Sequence, residues 1–537
     1  MSIVDCGVYD LTYGTVLADR AARHGERLYL RCEEQRYTYL DAHHISNRVA
    51  NGLAALGVKR GEHIALFMDN CPEIVWYYFG IGKLGAVSAP LNTAAKGQLL
   101  VRYLRQARAT CLVIDAQYLD RLDDVVEHYP DLKQCIVVHG DAAAGGKRAS
   151  ALPVTMHHDV VGADDADPGV AVSFKDTAYL SFTSGTSGPS KASLATHAHT
   201  YLMAGAIARA FSYDANEVMY TCLPLFHGNA MRSLFVAQMA GCSIALARRF
   251  SASAFWDDIR RYGATQFNLL GAIANILWSR PESAADRDHT ARKCMIVPVP
   301  SFAEQFCERF NVKIHSTYAL TDYGYLSFLT PDDPPEKRRS AGRAQPDVDI
   351  AILDDDDNAQ PSGQTGEICV RNRRPWIAAQ GYYGMPEETI RAWRNLWFHT
   401  GDRGYLDEDG YLFFVDRKKD AIRRRGENIS SFEVEQIILK NPAVLDVAAF
   451  AMASEMSEDE VMVSVVLRED RVLTEEILVR WCAEHMAYFM VPRYVQFLPE
   501  LPRTLTEKVE KYRLRAEAEK NLASVWDREK HGITIAR

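Results

Sequence analysis

Residues 178–192 read AYLSFTSGTSGPSKA, and this stretch decides how the rest of the chain is interpreted. The apolar start predicts a buried strand, which runs directly into a turn rich in hydroxyls and glycine. Gly185 and Gly188 let the backbone approach a ligand closely, while the hydroxyls, backbone N–H groups and Lys191 offer donors and positive charge to phosphate oxygens. A flexible linker seldom follows a buried strand at once, so we predict a nucleotide phosphate loop. It is not a Walker loop, because GxxxxGK[ST] cannot be aligned with it.

The chain before this loop, and up to about residue 300, alternates between two patterns. Residues 40–56 have apolar positions near helical spacing, which predicts an amphipathic helix. Short apolar runs of the kind that form buried parallel strands occur at residues 63–68, 110–114, 134–138 and 243–247. The alternation predicts an α/β fold, with a large N-terminal domain of mixed α/β sheets and helices on both faces.

The pattern changes after residue 345. Residues 348–372 alternate, break at a polar turn and alternate again, which predicts a β-hairpin. The four aspartates 354–357 in the break are interpreted as a solvated turn rather than a metal site. We place the large domain at residues 1–417 and a small mobile C-terminal α+β domain at residues 418–537.

Composition excludes several classes of protein. The 537 residues include 61 Lys and Arg, 70 Asp and Glu and 47% hydrophobic residues, which are globular proportions with a net charge of −9. A nucleic-acid partner is not expected, because such domains are basic. The 11 cysteines form no CxxC pair, and no apolar stretch is long enough for a signal peptide or membrane span. We therefore expect a soluble cytoplasmic protein, and a homodimer is left open.

Motifs in a fixed order carry a resemblance to a known family. They are residues 83–92 (KLGAVSAPLN), 183–192 (TSGTSGPSKA), 223–228 (LPLFHG), 316–322 (STYALTD), 400–402 (TGD), 416–429 (DRKKDAIRRRGENI) and 501–511 (LPRTLTEKVEK). Together they resemble the adenylate-forming (AMP-binding) enzymes, which include acyl-CoA synthetases, firefly-type luciferases and nonribosomal-peptide adenylation domains. The resemblance implies ATP, Mg²⁺ and CoA as cofactors and a small carboxylic acid as substrate.

The resemblance also implies which residues bind the nucleotide. Tyr318 would stack on adenine, Asp402 and Arg417 would bind the ribose, and Asp322 would hold Mg²⁺. Phosphate contacts fall to Thr183, Ser184, Gly185, Thr186, Ser187, Gly188, Lys191 and Thr321.

Catalytic, acyl-binding and CoA-binding residues follow from the same motifs. The resemblance assigns catalytic roles to Lys508, which would bridge carboxylate and α-phosphate, to Thr186, and to His227, which would gate the pocket. The small domain would turn about a hinge at Lys419. The resemblance assigns CoA binding to Arg425, Gly426 and Glu427, and acyl binding to His227, Gly228, Leu270, Val299 and Ala319. The pocket is expected to be lined by residues 227–231, 269–274, 297–300 and 319–325, whose Leu, Ala, Val and Tyr side chains suit an apolar or ring-bearing acid.

The sequence departs from the family pattern at Ala192, Ala319, Asp322 and Glu507. The leading hypothesis is an AMP-forming acyl-CoA synthetase, and the GENIS and NTAAKGQLL stretches resemble the branch that handles carnitine-type, crotonobetaine-type or longer acids. Two alternatives stay open: an adenylation enzyme that loads a carrier protein in trans, and a nucleotide-binding regulatory protein without turnover.

Overall fold

The computed structural model describes residues 7–140, 152–183, 191–278, 280–297, 299–300, 302–417, 421–424, 427–454, 459–468, 471–502, 509 and 511–535. Two large sheets form the centre of the molecule. The larger has nine strands in the spatial order β16 (Arg343–Ala344), β15 (Gly324–Leu329), β14 (Lys313–Leu320), β13 (Lys293–Val297), β12 (Gln266–Leu270), β10 (Val218–Thr221), β11 (Ser243–Leu246), β1 (Leu28–Cys32) and β2 (Gln35–Thr38). Its central strands, from β14 across to β1, are parallel.

The second sheet has seven strands. Their spatial order is β7 (Val154–Met156), β6 (Gln134–Val138), β5 (Cys111–Asp115), β3 (His63–Phe67), β4 (Val87–Pro90), β8 (Thr177–Thr183) and β9 (Lys191–Thr196). All neighbours are parallel except β8 and β9, which form an antiparallel pair in which Thr183 lies opposite Lys191. The predicted phosphate loop therefore connects the two strands of a hairpin, although residues 184–190 lie outside the described part of the chain.

Helices separate and cover these sheets. They are α1 (Tyr13–His24), α2 (Tyr39–Ala55), α3 (Pro72–Lys83), α4 (Gln98–Ala107), α5 (Leu122–His128), α6 (His157–Val160), α7 (His197–Ala210), α8 (Gly228–Ala240), α9 (Phe255–Tyr262), α10 (Gly271–Trp278), α11 (Ala303–Phe310), α12 (Pro386–Ala392), α13 (Ser431–Ile438), α14 (Glu475–His485) and α15 (Lys511–Lys520). Short 3-10 turns lie at Val8–Asp10, Ala116–Arg121, Ala284–Arg287, Pro335–Lys337, Arg394–Leu396, Tyr488–Met490 and Leu522–Ser524. Helix α7 contacts both β9 and β15, so it lies between the two large sheets, and it packs along α8.

A smaller antiparallel sheet follows, with β17 (Val348–Leu353), β18 (Gly366–Asn372), β19 (Phe398–Leu406) and β20 (Leu412–Arg417). Strands β17 and β18 form the predicted hairpin. The aspartates between them form a turn: Asp354 accepts backbone N–H groups, and Asp357 pairs with Arg394 at 2.7 Å.

The C-terminal part begins with the hairpin of β21 (Ala421–Arg424) and β22 (Glu427–Ser430). Its main sheet contains β23 (Val444–Ala453), β24 (Asp459–Leu467), β25 (Tyr494–Phe497) and β26 (Trp526–Asp527). The two faces of this sheet pack differently, because side chains alternate along a strand. Val447 and Ala449 join an apolar cluster that also contains β3, β5 and α4 of the large domain. Ala448 and Phe450 face the opposite way, into a cluster with Leu514 of α15.

The predicted α/β architecture is confirmed in its main elements. The four predicted short strands occur as β3, β5, β6 and β11, and the helix predicted over residues 40–56 is α2, which begins one residue earlier because Thr38 caps it through a reciprocal pair of bonds with Asp41. None of the described helices has the length and apolar character that crossing a bilayer requires.

Gly324 begins β15, two residues after the predicted Mg²⁺ ligand Asp322, and the backbone there requires glycine. Its φ is +129°, and an added Cβ would lie 2.8 Å from the Met203 sulfur and 3.1 Å from the His199 ring. Gly363 also has a positive φ, +79°, but a Cβ added there would meet no atom within 4 Å.

We predict that Gly324→Ala lowers the free energy of unfolding by about 2–3 kcal/mol, and Gly363→Ala by about 1 kcal/mol. Thermal unfolding midpoints of both variants check this order, and equal midpoints would contradict it.

Candidate active site

A cavity of about 230 Å³ opens where the C-terminal part meets the carboxyl ends of the central strands. Leu270 of β12, Val297 of β13 and Ala319 of β14 form one wall. Because parallel strands end at the same edge of a sheet, residues far apart in sequence meet here. The opposite wall is formed by Glu427 and Ile429 of β22, which close the cavity from the C-terminal side.

Helix α8 begins at the mouth of this cavity, with His227 in the position before its first turn. The His227 Nε2 lies 3.0 Å from the Glu427 Oε1, and the side chain of His227 is 38% exposed. Burial acts to lower the pKa of His227, but the charge and hydrogen bond of Glu427 outweigh it and raise the pKa above its ordinary value. An ion pair thus joins the large domain to the C-terminal part directly over the cavity.

Further contacts hold the C-terminal part in this position. Asn92 Nδ2 lies 3.5 Å from the second carboxylate oxygen of Glu427. The Lys96 ammonium donates to the backbone oxygen of Ala483, and Arg102 lies 4.0 Å from Glu433. The shared apolar cluster adds buried area to these polar contacts. The arrangement is therefore a packed interface.

The predicted phosphate and magnesium residues form a second, adjacent group. Lys191 pairs with Glu388 at 2.8 Å, and its ammonium lies 4.6 Å from the centre of the Tyr382 ring. The Tyr382 hydroxyl donates to Asp322 at 2.5 Å. Burial and then the Asp322 charge raise the pKa of Tyr382, so the phenol keeps its proton and remains a donor. Tyr382 is held beside β9 by an antiparallel bridge to Ser193.

The predicted adenine and ribose residues are also brought together. The Tyr318 hydroxyl donates to Asp402 Oδ2 at 2.7 Å, and both residues are buried. Asp402 lies opposite Arg417 in the register of β19 and β20, as a shared ribose site requires, although the Arg417 side chain is outside the described part. These assignments remain predictions.

The cavity brings together most of the predicted acyl-binding residues. His227, Gly228, Leu270 and Ala319 line it, and so does Thr321. Val299 lies beyond β13, which ends at Val297, and it is Val297 that is among the described residues lining the cavity. The assignment of Val299 stays a prediction.

Several predicted residues lie outside the described part of the chain. They are Ser184, Gly185, Thr186, Ser187, Gly188, Lys419, Arg425, Gly426 and Lys508, together with the side chain of Thr183. Val509, which follows Lys508, packs against the cluster of Ala448 and Phe450, on the face of the C-terminal sheet turned away from the large domain.

Sequence reasoning missed three residues of the site: Tyr382, Glu388 and Arg232. The first two come from a segment without a motif, so their sequence carries no signal of the contacts with Lys191 and Asp322. Arg232 is the one charged residue in the helix GNAMRSLFVAQMA, and this isolated charge is a signal that could have identified it.

The residues around Asp322 fit a magnesium ion. Carboxylate oxygens are the ligands that Mg²⁺ prefers, and it usually takes one or two of them together with water and substrate phosphates. Asp322, which accepts from Tyr382, and Glu388, which pairs with Lys191, supply such oxygens. The described clusters of three potential metal ligands lie elsewhere, at Cys71, Glu73, His139 and at Glu367, Cys369, His399.

We predict that Glu427→Gln lowers the pKa of His227, because it removes the charge that raises it. The pair contributes fully to docking below about pH 6.5, and this contribution is lost as the pH rises through the raised pKa. Histidine-selective NMR titration, with the His227 signal assigned by His227→Asn, measures the change. Glu476→Gln on α14 is the control and should leave the titration as it is. An unchanged His227 pKa in Glu427→Gln would contradict the assignment.

Comparison with known proteins identifies the family. The model of the AMP-binding enzymes matches residues 17–383, and that of the AMP-binding enzyme C-terminal domain matches residues 433–508. A crotonobetaine/carnitine–CoA ligase of Escherichia coli O157:H7 is 31% identical over 502 residues, which are 91% of this chain and 96% of the relative. A fatty acyl CoA synthetase of Mycobacterium tuberculosis is 26% identical, with a TM-score of 0.70, and 95% of this chain and 99% of that chain are covered.

The o-succinylbenzoate CoA synthetase of Bacillus subtilis shares the fold. A double mutant bound to a product analogue aligns with a TM-score of 0.81 at 23% identity, over 93% of this chain and 98% of that chain. In complex with AMP, the same enzyme aligns with a TM-score of 0.67 at 24% identity and the same coverage. The resemblance seen in the motifs is thus confirmed, and the chain belongs to the AMP-binding enzyme family.

Proposed function

We propose that this protein is an ATP-dependent, AMP-forming acid–CoA ligase. A carboxylate oxygen of the acid attacks the α-phosphate of ATP, pyrophosphate leaves, and acyl-AMP forms. The thiol of CoA then attacks the acyl carbon and AMP leaves. The observation that carries the proposal is that the acyl cavity and the predicted phosphate and magnesium residues adjoin along the chain. Ala319 and Thr321 line the cavity, and the next residue, Asp322, accepts a hydrogen bond from Tyr382, whose ring lies against Lys191.

Charge repulsion is the main obstacle in the first reaction, because an anionic acid must approach an anionic triphosphate. Lys191 and the donors of residues 183–188 are proposed to bind the phosphates, and Lys508 to bridge the carboxylate and the α-phosphate. Donors and positive charges that are already in place where negative charge develops stabilise the transition state, because they need not reorganise during the reaction. Bound at Asp322, Mg²⁺ would supply additional positive charge to the phosphate oxygens.

The second reaction fits the arrangement described here. Glu427 faces the cavity, whereas Val509, the neighbour of Lys508, packs on the other face of the C-terminal sheet. We assign this arrangement to thioester formation, with Gly426 leaving room for the pantetheine arm beside Arg425. Adenylation then requires the C-terminal domain to turn about Lys419 so that Lys508 reaches the cavity.

His227 is proposed to gate the cavity. Its pairing with Glu427 exists only while the C-terminal part is docked in this way, so the side chain is released when the domain turns. Thr186 is proposed to contact the phosphates, and Tyr318, Asp402 and Arg417 to hold adenosine. A cytoplasmic location and a homodimer stay predictions from the sequence.

Pyrophosphate release with a panel of carboxylic acids tests the function. Incubation with ATP, Mg²⁺ and an accepted acid should give pyrophosphate, and adding CoA should give AMP and a thioester. A thioester formed on a phosphopantetheinyl carrier protein but not on CoA would contradict the proposed acceptor. Tight ATP binding without pyrophosphate release from any acid would contradict the proposed reaction.

Separate half-reactions test the two roles of the C-terminal domain. We predict that Lys508→Ala lowers the rate of acid-dependent pyrophosphate release by roughly 10²–10³-fold, because it removes a preorganised charge. It should still convert synthetic acyl-AMP and CoA into thioester. Gly426→Leu is the matched variant and should show the reverse. If Lys508→Ala leaves both half-reactions intact, the role of Lys508 is wrong.

A further inference from the structure

Arg232 is a buried cation in the wall of the acyl cavity. It lies on α8, one and a half turns after His227, and only 4% of its surface is exposed. It borders both the main cavity and a second, small cavity of about 10 Å³, which shares Asn229 and Tyr325 with the first. An arginine stays charged inside a protein, so its burial has a cost unless a partner compensates.

Within the described part of the chain, no carboxylate forms an ion pair with Arg232. Its Nε is buried without a hydrogen-bond partner, and the guanidinium lies 4.8 Å from the centre of the Tyr325 ring. Burial works to lower the pKa of Arg232, but Tyr179 and Tyr325 beside it raise the pKa above its ordinary value. The positive charge thus lies over the Tyr325 ring, and no carboxylate of the described residues neutralises it.

The acidic residues of the cavity wall are engaged with other cations. Glu427 pairs with His227 at 3.0 Å, and Glu433 lies 4.0 Å from Arg102. His199 adds no charge, since burial and then Arg232 lower its pKa to about 3. A negative charge for Arg232 must therefore come from what the cavity binds.

Polar groups surround Arg232 at this end of the cavity. The side-chain oxygen of Asn229 is buried without a partner, three residues before Arg232 and on the same side of α8. Ser233 and Asn268 border the small cavity, and the Asn268 amide donates a hydrogen bond to the Ser233 hydroxyl at 3.1 Å. The inner end of the cavity therefore differs from the apolar wall formed by Leu270 and Val297.

We propose that Arg232 binds a second carboxylate at the far end of the acyl substrate, so that the acid activated is a dicarboxylic acid. The proposal rests on the proposed acid–CoA ligase function and names its substrate class. The helix rises about 7.5 Å between His227 and Arg232, which suits an acid of about four to six carbons. One carboxylate would react at the mouth while the other pairs with the guanidinium in bidentate geometry.

The same charge works against a cationic acid. A trimethylammonium group placed at the inner end would meet a like charge in a region shielded from water, where electrostatic interactions are strong. The pocket of this chain is thus expected to bind poorly an acid that ends in a quaternary ammonium group, although the relative that is 31% identical is named for such substrates.

Matched acids and matched variants test the role of Arg232. Pyrophosphate release is measured with adipate, with hexanoate and with an acid of similar length that ends in trimethylammonium. Wild-type protein should prefer adipate. Arg232→Met should reduce the ratio of kcat/KM for adipate over hexanoate by at least about 100-fold, and Arg232→Lys should keep part of it. Arg36→Met, on the exposed strand β2, is the control and should keep the wild-type ratio.

Calorimetric binding of adipate to wild-type protein and Arg232→Met gives a readout without turnover. ATP binding by Arg232→Met shows that the variant is folded. A ratio and an adipate affinity that do not change in Arg232→Met would overturn the proposal. If no acid gives pyrophosphate but adipate binds through Arg232, the proposed reaction fails while the second-carboxylate site stands.

Discussion

The ion pair between His227 and Glu427 joins the C-terminal domain to the large domain at the cavity. While it is formed, β22 closes the acyl pocket, and the chain beside Lys508 lies on the far side of its sheet. A single cavity cannot present both surfaces at once, which is why we propose that the C-terminal domain alternates between the two half-reactions. The apolar cluster shared by the domains stabilises the docked arrangement, and the titrating pair makes that stabilisation depend on pH.

The same geometry explains how one site handles two kinds of charge. At the outer end, Lys191, Tyr382 and Asp322 form a group suited to phosphate and a divalent cation. At the inner end, Arg232 provides a charge that is separate from the nucleotide. The charges of Lys191 and Asp322 are proposed to take part in the reaction common to the family. The charge of Arg232 is proposed to determine which acid is bound.

Much of the fold could be predicted from the sequence, because local patterns carry it. Apolar runs gave β3, β5 and β6, helical spacing gave α2, and alternation gave the β17–β18 hairpin. Site residues within motifs, such as His227, Ala319 and Asp402, could also be placed in order along the chain. Contacts between distant segments could not be predicted. Tyr382 meets Asp322 only because its segment pairs with the edge of β9. Arg232 reaches the cavity only because α8 is buried between the sheets. Such contacts depend on tertiary packing, which no local pattern encodes.

The alternation of the C-terminal domain is the central claim, and a distance between the domains tests it most directly. Ile390 and Val472 are both exposed in this arrangement. Spin labels attached to cysteines introduced there, Ile390→Cys and Val472→Cys, report that distance by pulsed electron paramagnetic resonance. If the domain alternates, the labels should give one distance with a stable acyl-adenylate analogue and CoA, and a clearly different one with ATP and Mg²⁺. The same distance distribution under both conditions would contradict it.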